Sequence, residues 1–319
     1  MTAIDDWLLD ADPSIRWQVK RDLLDAAPDE VAAERALVAT SGWGAAFLEL
    51  QDPDGRWDGG VYRPGWVNEQ RPFYDAWTAT HFTLISLREL GAHPEAAPMR
   101  RALELVKKNV VWELDEGPAP YFAGETEPCI NGMVLANAVY FGEDGTTVGE
   151  RLLDDRLLDG GWNCFPDPAR PVSSFSSTIC VLEGLLAWQQ AGGPAEKIAE
   201  ARHTAEEYLL ERRLIRRKSD DAIVDPRFTM LSYPGYWYYD ILRALDYFRV
   251  ASRVDGTGPD PRCADAIALL EAKRDASGRW RNENTHEGAR LFAIERGENR
   301  PSRWSTLRAL RVLRWWTGQ

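Results

Sequence analysis

Residues 47–60 read FLELQDPDGRWDGG, an apolar helical stretch followed by an acidic turn that ends in Gly-x-Trp at Trp57. The pattern returns in LLDDRLLDGGW, which ends at Trp162, and in LLEAKRDASGRW, which ends at Trp280. Weaker forms occur in WELDEGPAPYF and RRKSDDAIVDPRF. The three clear turns are each separated by about two periods of ~50–60 residues, in the range of helix-pair repeats. The sequence therefore predicts a repeated pair of helices with a tryptophan in the connecting turn.

The residues of this turn have separate physical roles. Gly55 permits a positive φ angle that residues with a Cβ atom tolerate poorly. The acidic residues accept hydrogen bonds from nearby amides and cap the next helix. The indole supplies a large apolar surface and one N–H donor. We predict that Trp57, Trp162 and Trp280 are buried on the outer side of the fold, in equivalent places between successive helices, where they hold neighbouring repeats together.

Composition excludes several classes of protein. A chain of 319 residues could form one large domain or two ordinary ones. The net charge of -12 and pI of about 5.0 argue against a nucleic-acid partner. The basic cluster ERRLIRRKSDD is flanked by acids, which is typical of a solvated helix end. No apolar run is long enough to span a membrane, and the N-terminus does not resemble a signal peptide. Four cysteines without a Cys-x-x-Cys motif favour a reduced, cytoplasmic setting.

Ala, Leu, Arg and Glu recur at helical spacing, and alternation typical of strands is nearly absent. We therefore predict an all-α single domain over residues 1–319. Residues 1–34 would be capping helices, with Asp12 as an N-cap and Pro13 in the first helical position. Residues 35–319 would hold the helix-pair repeats, in which Gly91, Gly142 and Gly192 close helices.

The second helices of the predicted pairs are apolar around most of their circumference, whereas the first helices are amphipathic. The second helices are YDAWTATHFTLISLRELG, CINGMVLANAVYFG, SSFSSTICVLEGLLAWQQAGG, YWYYDILRALDYFRVA and SRWSTLRALRVLRWW. Apolar helices inside a ring of amphipathic ones predict a closed α/α toroid of five to six helix pairs.

The turns resemble the QW-type repeats of the terpenoid cyclase and protein prenyltransferase superfamily. In FLELQDPDGRW, an aromatic-aliphatic pair is followed by Gln51 and then by Gly55-x-Trp57, and LLEAKRDASGRW places Lys273 near the glutamine position. The resemblance covers about residues 35–319. FTMLSYPGYWYYDILRALDYFR and PSRWSTLRALRVLRWW resemble, more narrowly, small bacterial squalene-cyclase-like, prenyltransferase-repeat proteins. The resemblance implies an α/α toroid that handles isoprenoids.

The two chemistries of that superfamily are only partly matched. Squalene-type cyclases use an Asp-x-Asp-Asp motif, which this sequence lacks, so squalene cyclisation is not expected. Protein prenyltransferases use zinc held by Asp-x-Cys and a later histidine, and Glu127-x-Cys129 is a loose likeness, with Ser177 about where the histidine would stand. Glu127, Cys129, Cys164 and His81 could form a zinc site only if the fold joined distant loops. We favour Cys129 and Cys164 as small buried side chains, and predict no metal and no cofactor.

The N-terminal ends of the inner helices of a toroid meet at one end of its cavity, where unpaired N–H groups favour an anionic group. We predict one apolar cavity there with a few polar groups. The candidate catalytic residues are Asp75, His81, Glu127 and Asp240. The candidate substrate-binding residues are Trp77, Cys129, Trp237, Tyr239, Arg303 and Trp304.

Each candidate has a structural alternative. His81 is also typical of a hydrogen-bonded core histidine. Asp240 could cap its helix or pair with Arg243 instead of acting as an acid. Arg303 could hold a phosphate or carboxylate, or pair with Asp240. The dense aromatic run at 236–239 favours a cavity lining, because not all of its faces can be buried.

We interpret the protein as an isoprenoid-handling enzyme that acts on a small prenyl or terpenoid-like substrate. A carbohydrate-active toroid is an alternative because aromatic side chains and carboxylates also form sugar clefts, although no carboxylate pair stands out. A non-catalytic module that binds a lipid or peptide is a third hypothesis. The sequence makes no prediction of oligomeric state.

Overall fold

The computed structural model describes residues 2–67, 76–295 and 297–318, and the chain is mostly helical. It divides into two compact units. The first comprises Met1–Tyr121 with Asp275–Arg311, and the second comprises Phe122–Arg274 with Val312–Gln319. No helix in the described ranges is long and apolar enough to cross a membrane.

The described part of the first unit contains six α-helices and the start of a further one. These are α1 (Ala3–Leu9), α2 (Pro13–Asp22), α3 (Pro28–Ala36), α4 (Gly42–Glu49), α5 (Thr80–Leu90), α6 (Ala97–Asn109) and the first part of the terminal helix Arg303–Thr317. As predicted, Asp12 is the N-cap of α2 and its Oδ1 accepts a hydrogen bond from the N–H of Ser14 at 2.9 Å, with Pro13 in the first helical position. Its Oδ2 also accepts from the N–H of Trp43 at 2.8 Å, which ties α4 to the start of α2.

The second unit contains the longest apolar helices. Its helices are α7 (Pro128–Phe141), α8 (Thr146–Asp154), α9 (Phe175–Gln190), α10 (Ala195–Leu210), α11 (Ile241–Asp255), α12 (Ala264–Ala272) and the last part of α13 (Arg303–Thr317). All five second helices expected from the sequence are therefore helical, as α5, α7, α9, α11 and α13. Gly91 and Gly142 end α5 and α7 in the left-handed conformation, and Gly192 follows the last residue of α9 with φ 95°.

The described residues include two short antiparallel strand pairs that were not predicted. β1 (Val111–Leu114) pairs with β2 (Gly117–Pro120), and β3 (Arg281–Asn282) pairs with β4 (Arg300–Pro301). The segment WELDEGPAPYF is thus a hairpin and not a weak copy of the tryptophan turn. Val111 and Trp112 favour strand, and Gly117 adopts φ 115° beside the tight turn. Strands of two to four residues are too short to give a clear alternating pattern in the sequence.

The three tryptophan turns share one hydrogen-bond pattern. The tryptophan side chains are completely buried, and the backbone N–H of each donates to a threonine hydroxyl in the first turns of a later helix. The pairs are Trp57 with Thr80 at 3.1 Å, Trp162 with Thr178 at 3.1 Å, and Trp280 with Thr306 at 3.0 Å. The predicted burial and equivalence of these turns are confirmed, while their place on the outer side of a ring stays a prediction.

Helices α7 and α9 pack with their backbones in close approach. A Cβ atom on Gly132 would lie 2.4 Å from the carbonyl oxygen of Cys180, and one on Gly184 would lie 2.3 Å from that of Gly132. Only glycine allows so close an approach without displacing backbone atoms. Cys129 lies one turn before Gly132, and Ser177 and Cys180 lie within two turns before Gly184, so this contact brings the beginnings of the two helices together.

Candidate active site

One segment of the candidate site is the start of α7. Glu127 is the N-cap residue, its side chain makes no capping bond, and Cys129 follows Pro128 in the first turn. Asn131 holds the preceding loop, because its Oδ1 accepts from the N–H of Glu125 and its Nδ2 donates to the carbonyl of Glu125, both at 2.7 Å. The first turn of α7 therefore presents a carboxylate and a thiol on a fixed backbone.

The other segment is the loop that follows Trp162. Cys164 lies two residues beyond this anchored tryptophan and is half-buried. The side chain of Asn163 donates to the carbonyl of Val172 at 2.8 Å and accepts from the N–H of Phe165 at 3.1 Å, which fixes the loop on both sides of Cys164. The turn that contains Trp162 therefore also fixes the position of the Cys164 thiol.

The two segments meet in a compact cluster. The Sγ atoms of Cys129 and Cys164 lie 2.8 Å apart, and the Oγ of Ser177 lies 3.4 Å from the Sγ of Cys164. The backbone N–H of Cys129 also donates to the Sγ of Cys164 at 3.4 Å. The Oε2 of Glu127 is 3.9 Å from the Sγ of Cys129, and one ligand atom from each of Glu127, Cys129 and Cys164 lies within 4.8 Å of the other two.

The surroundings shift the pKa values of Cys129 and Cys164 in opposite directions. The hydrogen bond between the two thiols lowers the pKa of Cys164 against the opposing effect of burial, and the hydroxyl of Ser177 acts in the same direction. The same hydrogen bond, together with burial, raises the pKa of Cys129. Burial and the neighbouring charge of Glu125 raise the pKa of Glu127. The pKa of Cys164 is therefore shifted down and that of Cys129 up by the contact between them.

A polar network continues from Ser177 along α9. Cys180, one turn further, donates to the carbonyl oxygen of Trp237 at 3.6 Å, and burial raises its pKa to about 12. Arg243 contacts the Sγ of Cys180 at 3.5 Å and forms two bonds to Glu183, at 2.9 and 2.7 Å. The row of polar groups therefore extends from the thiol pair to the segment 236–238.

Arg243 also fixes the aromatic segment beside this row. Its Nη1 donates to the carbonyls of Tyr236 and Tyr238, at 3.0 and 2.8 Å. The rings of Trp237 and Tyr238 stack with centroids 3.9 Å apart, and both are half-buried. Tyr236 and Tyr239 are buried, so only part of the aromatic run is accessible.

Two predicted residues of the second unit have structural roles. Asp240 is 2% exposed, and its carboxylate accepts from the N–H of Arg243 at 2.8 Å and from the hydroxyl of Ser232 at 2.9 Å, as an N-cap of α11. The capping alternative is the one that the contacts support, since both oxygens are occupied. Tyr239 is buried, donates to the carbonyl of Leu214 at 2.7 Å, and packs on Phe175.

In the first unit, His81 and Trp77 are core residues. His81 is fully buried and its Nδ1 lies 3.0 Å from the hydroxyl of Tyr121, while its Nε2 has no hydrogen-bond partner within the described ranges. Burial, with a smaller effect of Arg88, lowers the pKa of His81 to about 3, so it is neutral at physiological pH and cannot serve there as a cationic acid. Trp77 is buried and donates to the carbonyl of Glu287 at 2.7 Å.

Arg303 and Trp304 lie at the start of α13. Arg303 donates to the carbonyl of Trp7 at 3.0 Å, lies over the Trp7 ring, and is 3.5 Å from Asp10. These contacts tie Arg303 to the end of α1. Trp304 is 2% exposed and packs near Trp43, with ring centroids 6.4 Å apart. Asp75 lies outside the described residues.

The sequence signalled the thiol cluster only weakly. From the sequence, Cys164 is a candidate ligand with burial in the core as the favoured alternative, and Cys180 has no assigned role. The spacing of Ser177, Cys180 and Glu183 places them on one helical face, which was a usable signal. Nothing in the sequence indicated that this face meets Cys129.

No family model matches the chain, and no curated protein matches it. A crystal structure of a protein from Actinoplanes is similar over 96% of this chain and 90% of its own, at 16% identity and a TM-score of 0.46. The type II terpene cyclase MstE from Scytonema, in its apo form, is similar over 95% of this chain and 86% of its own, at 15% identity and a TM-score of 0.43. With both TM-scores below 0.5, these likenesses carry no argument for function.

Proposed function

We propose that this protein is a metal-dependent, isoprenoid-handling enzyme of α/α toroid type, with its catalytic centre at Glu127, Cys129 and Cys164. The observation that carries the proposal is the convergence of three potential ligand atoms within 4.8 Å from two segments of the chain. The sequence resemblance to the terpenoid cyclase and prenyltransferase superfamily supports the isoprenoid substrate class. The 2.8 Å contact between Cys129 and Cys164 supports a joint role for the two thiols.

The donor set fits zinc. Two thiols and one carboxylate are ligands that zinc prefers, and three protein ligands leave a fourth position for a substrate or water, as in catalytic sites. The outer contacts are also present, since Ser177 contacts Cys164 and Asn131 fixes the loop before Glu127. Bound there, zinc would supply a Lewis acid at that fourth position.

The chain's own groups would prepare this centre and hold the substrate. The N–H of Cys129 and the hydroxyl of Ser177 stabilise an anionic Cys164, and the N-terminal end of α7 favours negative charge at Glu127 and Cys129. The stacked rings of Trp237 and Tyr238 offer apolar faces for an isoprenoid chain and attract positive charge. Arg243 would keep these rings in place through its bonds to the backbone.

A binding experiment tests the metal part of the proposal. Protein freed of metal with a chelator should take up one equivalent of zinc, and cobalt in its place should give thiolate-to-metal absorption. Cys129→Ser and Cys164→Ser should each weaken zinc binding by at least about tenfold. Cys263→Ser, at a buried thiol outside the cluster, is the matched control and should bind zinc normally. Stoichiometric zinc that persists in both cluster variants would contradict the proposed centre.

A second experiment tests the substrate class. Titration calorimetry with farnesyl diphosphate should show binding to the zinc-loaded protein, with weaker binding after removal of zinc or after Trp237→Ala. Tyr140→Ala, at an aromatic residue at the far end of α7, is the control. A cello-oligosaccharide that binds while farnesyl diphosphate does not would favour the carbohydrate hypothesis instead.

A further inference from the structure

Cys164 and Cys129 form a pair of touching thiols, of which Cys164 is the more accessible because it is half-buried whereas Cys129 is buried. The Sγ of Cys164 accepts from the backbone N–H of Cys129 at 3.4 Å, lies 3.4 Å from the Ser177 hydroxyl, and lies 2.8 Å from the Sγ of Cys129. Cys164 is half-buried, and the neighbouring Phe165 side chain is 79% exposed, so small solutes can reach this loop.

We propose that Cys164 is a modification site for peroxides, at which Cys129 resolves the oxidised sulfur to form a reversible Cys129–Cys164 disulfide. The contact between the two sulfur atoms supports this pairing. Their separation of 2.8 Å exceeds the ~2.05 Å of a disulfide bond by less than 1 Å, so only a small movement joins them. The disulfide closes a loop that includes α8 and the Trp162 turn.

The chemistry balances in two steps. The thiol of Cys164 loses its proton and its sulfur attacks one oxygen of hydrogen peroxide, the O–O bond breaks and a sulfenic acid forms, and the leaving hydroxide takes up that proton as water. The sulfur of Cys129 then attacks the sulfenic sulfur, forming the S–S bond, and the hydroxyl leaves with the thiol proton as water. Two thiols are oxidised by two electrons, and the peroxide is reduced to two molecules of water.

The other cysteines of the chain are protected by their positions. Cys180 and Cys263 are both 0% exposed, and Cys263 lies at the start of α12, outside the thiol cluster. Reaction with a small oxidant requires access as well as a thiolate. Oxidation should therefore consume two of the four cysteines and leave Cys180 and Cys263 reduced.

The disulfide would also remove two of the three proposed metal ligands, and this consequence rests on the proposed function. Thiolates that are joined in a disulfide cannot ligate a metal as anions. The site would then have a reduced form that binds metal and an oxidised form that does not. The disulfide itself does not depend on metal binding.

The test uses the full chain, freed of metal by chelation, reduced and then treated with a small excess of hydrogen peroxide. Mass spectrometry without reduction should show a single cross-linked peptide pair containing Cys129 and Cys164, with two free thiols remaining per chain. Dithiothreitol should restore all four. An oxidised product in which Cys164 stays free, or in which Cys180 or Cys263 is consumed at the same rate, would overturn the proposal.

Variants separate the two roles. Cys129→Ser should leave Cys164 reactive but trap its sulfenic acid, which dimedone labels, whereas Cys164→Ser should abolish the rapid reaction. Cys263→Ser should behave as the unmodified chain. Should Cys129→Ser fold poorly, Cys129→Ala provides a second variant with the same expected labelling, and absence of dimedone adduct from a folded variant would contradict Cys164 as the attacking thiol.

Adding zinc before peroxide distinguishes this inference from the proposed function. Protection by one equivalent of zinc supports both proposals. A disulfide that forms equally with and without zinc, in a protein that binds no zinc, would refute the metal centre and leave the modification site standing. If the protein binds zinc but the metal-free protein forms no disulfide, the modification site would be refuted and the metal centre would stand.

Discussion

The turns at Trp57 and Trp162 share the same hydrogen bonds but differ in the side chains that follow the tryptophan. In both, the backbone N–H of the tryptophan donates to a threonine hydroxyl, and the indole N–H donates at 2.7 Å to the carbonyl of the residue ten positions earlier. Two residues beyond the tryptophan, the first turn has Gly59 and the second has Cys164. Within the described residues, the second turn therefore carries a thiol at the position where the first has a glycine.

The residue directly before the threonine that accepts this hydrogen bond is also apolar in the first turn and polar in the second. It is Ala79 beside Thr80 in the first turn, and Ser177 beside Thr178 in the second. Ser177 contacts Cys164, whereas Ala79 offers no polar group. The comparison teaches that the same backbone-to-threonine hydrogen bond fixes the position of both turns, and that Cys164 and Ser177 at two of these positions give the second turn a pair of polar side chains in contact.

Removing either tryptophan should have the largest effect on stability. Trp57→Ala and Trp162→Ala should each lower the free energy of unfolding by about 3–5 kcal/mol, because both rings are completely buried. Only Trp162→Ala should also change the peroxide reactivity of Cys164, and Trp162→Phe gives a folded variant if the alanine change is too severe. Denaturant titration and thiol labelling measure the two effects.

Trp66→Ala is the control for this pair, because the Trp66 side chain is 39% exposed. This change should lower the free energy of unfolding by less than the change of either buried tryptophan. If Trp57→Ala and Trp162→Ala changed the peroxide reactivity of Cys164 equally, the two turns would not differ in their effect on the proposed site.

The close approach of α7 and α9 provides a smaller test of the second region. Gly132→Ala should lower the free energy of unfolding by about 1–3 kcal/mol, because the new Cβ would meet the carbonyl of Cys180 at 2.4 Å. It should also slow formation of the Cys129–Cys164 disulfide, since it pushes α7 away from α9. Gly258→Ala, where nothing lies within 4 Å, is the matched control. If the two variants had the same stability and disulfide rate, the helix contact would not position the site.

The buried His81 of the first unit should affect stability only as the pH falls. Its folded pKa of about 3 lies below the unfolded value near 6.5, so the unfolded chain binds the extra proton between these values. This stabilising contribution is present above pH 6.5 and is lost toward pH 3, at about 1.4 kcal/mol per pH unit. The slope of unfolding free energy between pH 6 and about 4.5 should be smaller in His81→Gln by this amount.

His93→Gln, at an exposed histidine, should leave the slope unchanged. If His81→Gln also left it unchanged, His81 would not be buried as a neutral group, and a catalytic role in the first unit would regain its basis.

Local patterns in the sequence predicted much of the fold. The helices, the Asp12 cap, the glycine ends of α5 and α7 and the burial of the three tryptophans depend on residues close in the chain. Such features depend on spacing, capping and apolar area, which a sequence displays directly. The β1–β2 hairpin was missed because its strands have only four residues each.

The candidate site could not be predicted in full, because the burial and the contacts of its acidic residues cannot be read from the sequence. Asp240 and Glu127 are both acidic residues at the N-terminal end of a helix, yet the carboxylate of Asp240 is a buried cap and that of Glu127 makes no capping bond. Which carboxylate is free for chemistry depends on burial and on neighbours brought from elsewhere in the chain.

By itself, the sequence determined the repeated helices, their tryptophan turns and the presence of thiols and acids near helix starts, because these are properties of short segments. Only the tertiary structure decided that Cys129 and Cys164 touch and that His81, Trp77 and Trp304 are core. The physical reason is that the thiol contact requires a backbone approach at Gly132 and Gly184, which is set by packing between segments far apart in the chain.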